Sequence, residues 1–156
     1  MIATLDDLAD IRAKYSDKKI VLTSGTFDLL HVGHLEYLNK VKSYGDIVVV
    51  MISGDARVKA RKGPSRPIIP EADRMEMLDT LKIVDYVFID PSKWVSGQID
   101  PVHAKIVAQL QPDMYVTDGE DIRFSKVMNA SKQSILPRSS KQVSTSYIIE
   151  KILRRT

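Results

Sequence analysis

The sequence predicts an α/β fold with a parallel sheet, because short apolar runs alternate with segments whose apolar residues recur at helical spacing. The clearest run, residues 46–52, is almost continuously apolar, which is typical of a strand buried on both faces. A glycine turn follows the first run, and proline opens two of the helical segments. We therefore expect a Rossmann-like, doubly wound parallel sheet of about five strands in three α/β/α layers, with ligands at the carboxyl ends of the strands.

The individual elements follow from apolar spacing and from capping residues. Strands are predicted at residues 20–23, 46–52, 86–89, 114–116 and 134–136. Helices are predicted to begin at Thr4, near His31, at Pro70, at Asp100 and near Ser144. The basic segment from Arg57 to Arg66 contains Gly63 and Pro64, so we expect it to be a mobile loop.

Length and composition limit the class of protein. The 156 residues predict a single domain, 1–156, large enough for a hydrophobic core. The absence of cysteine excludes disulfides and zinc–thiolate sites and suits a reducing cytoplasm. No apolar run approaches the roughly 20 residues of a membrane span, and the acidic start lacks a signal-peptide pattern, so we expect a cytoplasmic protein without a membrane partner. The net charge of +3 permits a polyanionic ligand, but the basic residues lack the interleaved aromatic residues typical of nucleic-acid binding.

A pair of histidines follows the first predicted strand. His31 and His34 stand three residues apart, with Gly33 between them, at the start of a predicted helix. Residues at i and i+3 share a helix face, and a helix N-terminus attracts anions through its free N–H groups and its dipole. The pattern predicts a phosphate site in which Gly33 leaves room for a ribose or base. The alternatives are satisfied polar residues at a helix start or a metal site, and Asp28 either caps the helix or orients a ligand.

A cluster of cations follows the second predicted strand. Its members are Arg57, Lys59, Arg61, Lys62 and Arg66. Most charge runs of this kind are solvated surface segments. Because this one directly follows a buried strand, it can also close over a triphosphate and neutralise its charge. We expect Lys59 or Lys62 to do so, and Lys59 is favoured.

The segment before the last helix offers a second anion site. Arg138 and the hydroxyl groups of Ser144 and Thr145 precede that helix. A helix N-terminus with hydroxyl groups and an arginine nearby can bind phosphate. Simple N-capping by Ser144 or Thr145 is the alternative, and the two roles are compatible.

Three other residues have ambiguous roles. Arg74 is either a functional cation or a helix-surface arginine paired with Glu71 or Asp73. His103 lies on an amphipathic helix and is interpreted as structural or solvated. Trp94 could stack on a ligand, but ordinary packing is favoured.

Together these segments resemble the nucleotidyltransferases of the His-x-Gly-His superfamily, in the small cytidylyltransferase-like branch. The matching elements are residues 25–34, the basic segment, Asp73-Arg74, Val84-Asp85, and Arg138 with Val143-Ser144-Thr145-Ser146. Residues 62–67 resemble the loop of heptose-1-phosphate adenylyltransferases, whereas residues 25–30 and 137–138 resemble glycerol-3-phosphate cytidylyltransferases. Residues 67–70 are shared with archaeal-type FAD synthases. Residues 117–121, which border the acceptor pocket, depart from both the heptose and the glycerol patterns.

The resemblance implies a role for each matching residue. The implied catalytic residues are His31, His34, Lys59 and Arg138. The implied nucleotide-binding residues are Gly25, Thr26, Phe27, Asp28, Gly33, Lys62, Asp118, Ser144 and Thr145. The implied acceptor-binding residues are Asp55, Arg74 and Asp121. No metal ligand from the protein is expected, and Mg²⁺ would be held mainly by the substrate phosphates.

The implied reaction transfers a nucleotidyl group from CTP or ATP to the phosphate of a small phosphorylated alcohol or sugar, of the glycerol 3-phosphate or heptose 1-phosphate type, and releases pyrophosphate. A phosphate monoester is mostly dianionic at neutral pH, so neither an enzyme base nor a covalent intermediate is required. The histidines and the cations would supply hydrogen bonds and positive charge. The alternatives are FMN adenylylation, aminoacyl-tRNA ligation and a non-catalytic nucleotide sensor. Relatives of this type are often dimers, so a homodimer is a further expectation.

Overall fold

The computed structural model describes residues 1–93, 100–119, 124, 127–137 and 143–155. The strands are β1 (Ile20–Gly25), β2 (Ile47–Ser53), β3 (Tyr86–Asp90), β4 (Met114–Thr117) and β5 (Gln133–Ile135). The helices are α1 (Leu8–Lys14), α2 (Val32–Lys42), α3 (Asp55–Lys62), α4 (Glu71–Asp79), α5 (Pro101–Leu110) and α6 (Thr145–Leu153), with a 3-10 turn at Ala130–Lys132.

The strands form one parallel sheet in the order β3-β2-β1-β4-β5. This order confirms the doubly wound prediction, because the chain builds one half of the sheet outward from β1 and then crosses to the other side. The strand order reverses between β1 and β4, where Thr23 is paired with Val116. In such sheets the ligand crevice lies outside the carboxyl ends of the strands at this reversal.

Helices cover both faces of the sheet. On one face, strand residues such as Leu22 and Phe88 pack with Leu8 of α1 and Ile106 of α5. On the other face, the strands pack against buried residues of α2 and α4, among them Leu38 and Leu78. All seven residues of β2 are buried, as its continuous apolar run predicted. The three-layer prediction is therefore confirmed.

The basic segment after β2 is largely helical, so the prediction of a mobile loop from Arg57 to Arg66 is wrong for its first half. Helix α3 begins after Gly54, carries acidic Asp55 in its first turn and basic residues in its last turn, and ends before Gly63. This charge order favours a helix, because it complements the helix dipole, and Ala, Arg and Lys have high helix propensities. Gly63 has a φ of +97°, which suits glycine at the end of a helix.

The first helix begins later than predicted. Asp7 occupies the cap position of α1. Thr4, which we expected to cap this helix, instead donates its backbone N–H and its hydroxyl group to the Asp7 carboxylate, each at 2.7 Å. These hydrogen bonds lower the pKa of Asp7. Within the described part of the chain, no helix has both the length and the apolar character needed to cross a membrane.

Candidate active site

The connection between β1 and α2 is tightly folded. Phe27 and Leu29 have φ angles of 52° and 49°, in the left-handed region that residues with side chains rarely adopt. Gly25 precedes them, and a Cβ atom at that position would lie 2.7 Å from a ring carbon of Phe27. Each left-handed residue costs about 1–3 kcal/mol and persists only when its surroundings fix it. The loop is therefore held in one conformation by its neighbours.

Asp28 is the anchor of this loop. Its carboxylate is 1% exposed and accepts hydrogen bonds from Nε of Arg66 at 2.8 Å and from the backbone amides of Ile68 and Ile69. Burial by itself raises the pKa of Asp28, but the amides of Ile69 and Ile68 and the Arg66 guanidinium together hold that pKa below its usual value. Asp28 does not cap α2, because its carboxylate binds residues 66–69; the capping alternative is wrong.

His31 and His34 form a reciprocal cap at the start of α2. Nδ1 of His31 accepts the Gly33 amide at 3.1 Å, and Nδ1 of His34 accepts the His31 amide at 3.3 Å. The two rings stack with centroids 3.8 Å apart. Because both Nδ1 atoms accept, the proton of each neutral ring lies on Nε2. Two Nε2–H donors on stacked rings therefore occur at the N-terminus of α2.

These two histidines are hydrogen-bond donors rather than cations at neutral pH. Burial lowers the pKa of His34 to about 4, with smaller contributions from His31 and Lys62. Burial also lowers the pKa of His31. At neutral pH the ring of His34 is therefore uncharged, and we expect the two histidines to act as hydrogen-bond donors while the basic residues supply the positive charge. Among the described residues no group of three or more His, Asp or Glu side chains could hold a metal ion.

The N-terminus of α6 lies beside that of α2. Oγ of Ser144 accepts the Tyr147 amide at 3.1 Å, which confirms the predicted cap, and Oγ1 of Thr145 donates to the carbonyl oxygen of Asp28 at 2.5 Å. A Cβ atom on Gly33 would lie 3.0 Å from the His31 ring and 3.3 Å from the carbonyl oxygen of Val143. A side chain at this position would crowd both neighbours, so glycine favours the close approach of the two helix ends. The structure thus places Gly33, Ser144 and Thr145 together.

Helix α3 brings two basic residues, Arg61 and Lys62, close to the end of β1 and to His34. Nη2 of Arg61 donates to Oγ1 of Thr26, directly after β1, at 2.8 Å. Lys62 is near enough to His34 to lower its pKa. Lys59, which the sequence analysis favoured, is exposed on α3, and its catalytic role stays a prediction. The position of Arg61 on α3 brings its side chain to Thr26. This contact was not predicted from the sequence, because the segment was expected to be a loop.

Arg74 lies beneath the site and is fully buried. Its guanidinium donates to the carbonyl oxygens of Ile69, Thr26 and Ser53 at 2.9, 2.5 and 3.0 Å and to Oδ1 of Asp55 at 2.7 Å. The alternative of a helix-surface arginine is therefore wrong. Arg74 and Asp55 tie the ends of β1 and β2 together, and their roles in acceptor binding stay predictions.

The remaining predicted residues are placed as follows. Asp118 is exposed just after β4, at the edge of the sheet where β1 also ends. His103 is 1% exposed, so of its two interpretations the structural one is confirmed. Arg138, Asp121 and Trp94 lie outside the described residues.

The sequence matches a known family over most of its length. Residues 22–151 match the family described as cytidylyltransferase-like. The chain is 37% identical over 155 residues to the bifunctional protein HldE of Helicobacter acinonychis (strain Sheeba), which covers 98% of this chain and 31% of that protein. It is 52% identical over 90 residues to the protein of the same name from Geobacter metallireducens, covering 56% of this chain and 18% of that protein. The chain thus spans about a third or less of the length of these relatives.

Solved structures agree on the fold. The lipopolysaccharide core biosynthesis protein from Thermoplasma volcanium GSS1 superposes with a TM-score of 0.57 at 27% identity, over 81% of this chain and 99% of that one. A pantoate-beta-alanine ligase from Francisella tularensis gives a TM-score of 0.59 at 17% identity, over 100% of this chain and 80% of that one, which indicates a shared fold alone. With a family match over residues 22–151, which is most of its length, this chain belongs to the cytidylyltransferase-like family.

Proposed function

We propose that this protein transfers an adenylyl group from ATP to the phosphate of a sugar 1-phosphate of the heptose type and releases pyrophosphate. The observation that carries the transfer is the pair of Nε2–H donors of His31 and His34, set between two adjacent helix N-termini. The sugar 1-phosphate is supported by the resemblance of residues 62–67 to heptose-1-phosphate adenylyltransferases. The similarity to a lipopolysaccharide core biosynthesis protein points in the same direction.

The geometry suits a direct displacement at phosphorus. An oxygen of the acceptor phosphate forms a bond to the α-phosphorus of ATP, and the bond from that phosphorus to the β-bridging oxygen breaks, so pyrophosphate leaves. The acceptor is already anionic, so no general base is required. The neutral imidazoles donate hydrogen bonds to phosphate oxygens as charge builds on them, which is worth most in a buried site. Arg61 and Lys62 add positive charge from α3.

Two of the described carboxylates near the site are engaged by arginines. Asp28 binds Arg66, and Asp55 binds Arg74. We propose that the triphosphate oxygens, rather than a cage of carboxylates, hold most of the Mg²⁺. Bound in that way, Mg²⁺ neutralises charge on the triphosphate.

The segment that resembles the heptose-1-phosphate adenylyltransferases is joined by hydrogen bonds to the loop between β1 and α2. Residues 66–69, which follow α3, bind the Asp28 carboxylate through Arg66 and two amides. Asp28 in turn lies in the loop that leads to the histidines. The sugar-binding part of the site would therefore lie against the same loop as the phosphates, which shortens the distance between the two reacting phosphates.

The test is a matrix of four nucleoside triphosphates against a panel of acceptors, read by pyrophosphate release and by identification of the product. The panel holds heptose 1-phosphate, another sugar 1-phosphate, glycerol 3-phosphate, phosphocholine, phosphoethanolamine and FMN. We expect turnover with ATP and the sugar 1-phosphate. Turnover only with CTP and glycerol 3-phosphate, or only with ATP and FMN, would replace the proposed acceptor. Nucleotide binding without pyrophosphate release from any pair would contradict the proposed reaction.

A further inference from the structure

A buried cluster of charged side chains lies at the carboxyl end of β3, outside the site described above. Asp90, the last residue of β3, is 2% exposed, and Arg57 of α3 and His103 of α5 are 5% and 1% exposed. Nε of Arg57 lies 3.5 Å from the Asp90 carboxylate, and Nε2 of His103 lies 3.4 Å from it. Burial of such groups costs free energy unless they are paired, so each depends on the others.

Arg57 also fixes the chain that follows β3. Its Nη1 donates to Oγ of Ser92 at 2.8 Å and to the carbonyl oxygen of Lys93 at 3.1 Å. The Ser92 amide donates to Asp90 at 2.9 Å. The first turn of α3 is therefore fastened to the end of β3 through both side-chain and backbone atoms.

The last turn of α3 is bound to the end of β1, the strand on the other side of β2 from β3. Arg61 follows Arg57 by four residues, which places the two side chains on one helix face. Arg61 reaches Thr26, at the end of β1. Strand β2, which leads into α3, lies between β3 and β1. Helix α3 thus crosses the carboxyl ends of β3, β2 and β1. Arg57 binds the chain that follows β3, and Arg61 binds the residue that follows β1.

We propose that Arg57, Asp90 and His103 are positioning residues for nucleotidyl transfer, which hold α3 so that Arg61 and Lys62 reach the triphosphate. The inference rests on the proposed triphosphate site and adds to it residues that never contact substrate. His103 completes the cluster from α5, where its ring packs 5.3 Å from that of Phe124. Within the described part of the chain its Nδ1 has no hydrogen-bond partner, so Asp90 and apolar packing orient the ring.

The first experiment measures ATP affinity by calorimetry for the wild type and for Arg57→Met. We expect affinity to fall about tenfold, because a small displacement of α3 moves both cations. Arg57→Lys retains a donor for Oγ of Ser92 or the carbonyl oxygen of Lys93, so its ATP affinity should lie between those of the wild type and Arg57→Met. Ile106→Ala serves as the control, since it removes a buried α5 side chain one turn from His103 and should lower stability without changing ATP affinity.

The second experiment separates positioning from a general structural role. In an Arg61→Ala/Lys62→Ala background, Arg57→Met should change ATP affinity by less than about twofold, because the groups it positions are gone. The same loss in both backgrounds, or no loss in the wild-type background, would overturn the proposal.

The readouts distinguish this inference from the proposed function. If the wild type binds ATP but turns over no acceptor, the proposed reaction is wrong. The comparison of Arg57→Met in the two backgrounds still decides the role of Arg57, because it measures ATP affinity alone. If the wild type does not bind ATP, the triphosphate site itself fails. Hydrogen exchange then tests the positioning: amides of α3 should exchange faster in Arg57→Met than in the wild type, and unchanged exchange would contradict it.

Discussion

At the scale of single residues, the hydrogen bonds to Nδ1 fix which ring nitrogen of each histidine carries the proton. Each Nδ1 accepts a backbone amide of the α2 cap, which leaves Nε2–H as the outward donor. Burial keeps these rings neutral by lowering their pKa values. A neutral donor can stabilise a phosphate oxygen without the desolvation penalty of a buried charge.

Replacing His34 with alanine is expected to lower the chemical rate by about 10² or more, because it removes one donor from a preorganised site. Single-turnover pyrophosphate release measures the rate, and circular dichroism checks the fold. Asn39→Ala, an exposed substitution on the same helix, is the control and should leave the rate unchanged. A folded His34→Ala protein with normal turnover would exclude the phosphate role.

The depressed pKa of His34 makes stability depend on pH. The folded-state pKa is about 4, against 6.5 for an exposed histidine, so the unfolded chain binds more protons between these values. Stability should be full above pH 6.5 and should fall toward pH 4, by up to about 1.4 kcal/mol per pH unit from this group. Urea denaturation at a series of values from about pH 7.5 to about pH 4.5 measures the slope. His34→Gln should flatten it, and equal slopes would contradict the depressed pKa.

At the scale of elements, α3 fixes the direction in which each basic residue of residues 57–62 points. A loop would leave all its basic residues equivalent, whereas a helix directs each to a fixed side. Arg57 faces the end of β3, Arg61 faces the end of β1, and Lys62 lies near His34. We therefore expect Arg61 and Lys62, rather than Lys59, to act on the triphosphate, a preference that charge and spacing alone did not give.

We expect Arg61→Ala and Lys62→Ala each to lower kcat/KM by about tenfold to a hundredfold, as for lost hydrogen bonds to a charged group. Lys59→Ala should have a smaller effect. Steady-state pyrophosphate release compares the three variants. Lys18→Ala is a matched control, because Lys18 is an exposed lysine before β1, at the opposite edge of the sheet. A dominant effect of Lys59→Ala would restore the preference drawn from the sequence.

At the scale of the whole molecule, Arg74 joins the strand ends to the helices that carry the site. It binds carbonyl oxygens that belong to the loop after β1, to the end of β2 and to the chain before α4, together with the Asp55 carboxylate. The carboxyl edge of the sheet is thus held together by one buried guanidinium. Loss of this group would leave the Asp55 carboxylate and three carbonyl oxygens without their donors.

Arg74→Met is expected to reduce the free energy of unfolding by about 3–5 kcal/mol, the usual cost of breaking a buried ion pair. Urea denaturation at about pH 7.5 measures the change. Arg154→Met is the matched control: Arg154 pairs with Glu150 on the surface of α6, and its loss should cost less than about 1 kcal/mol. Similar losses for both variants would show that Arg74 does not hold the strand ends.

The sequence by itself determined the order of the strands and of the described helices except α3, together with the doubly wound class, and it predicts a phosphate site at His31 and His34. Each of these depends on patterns within about ten residues, such as continuous apolar runs, a glycine turn and helix caps. The tertiary structure decided the rest. It turned Asp28 toward residues 66–69, buried Arg74, selected Arg61 on α3 and assembled Arg57 with His103. These contacts join residues far apart in the chain, and their partners are fixed by how the strand ends and helices pack, which no local pattern encodes.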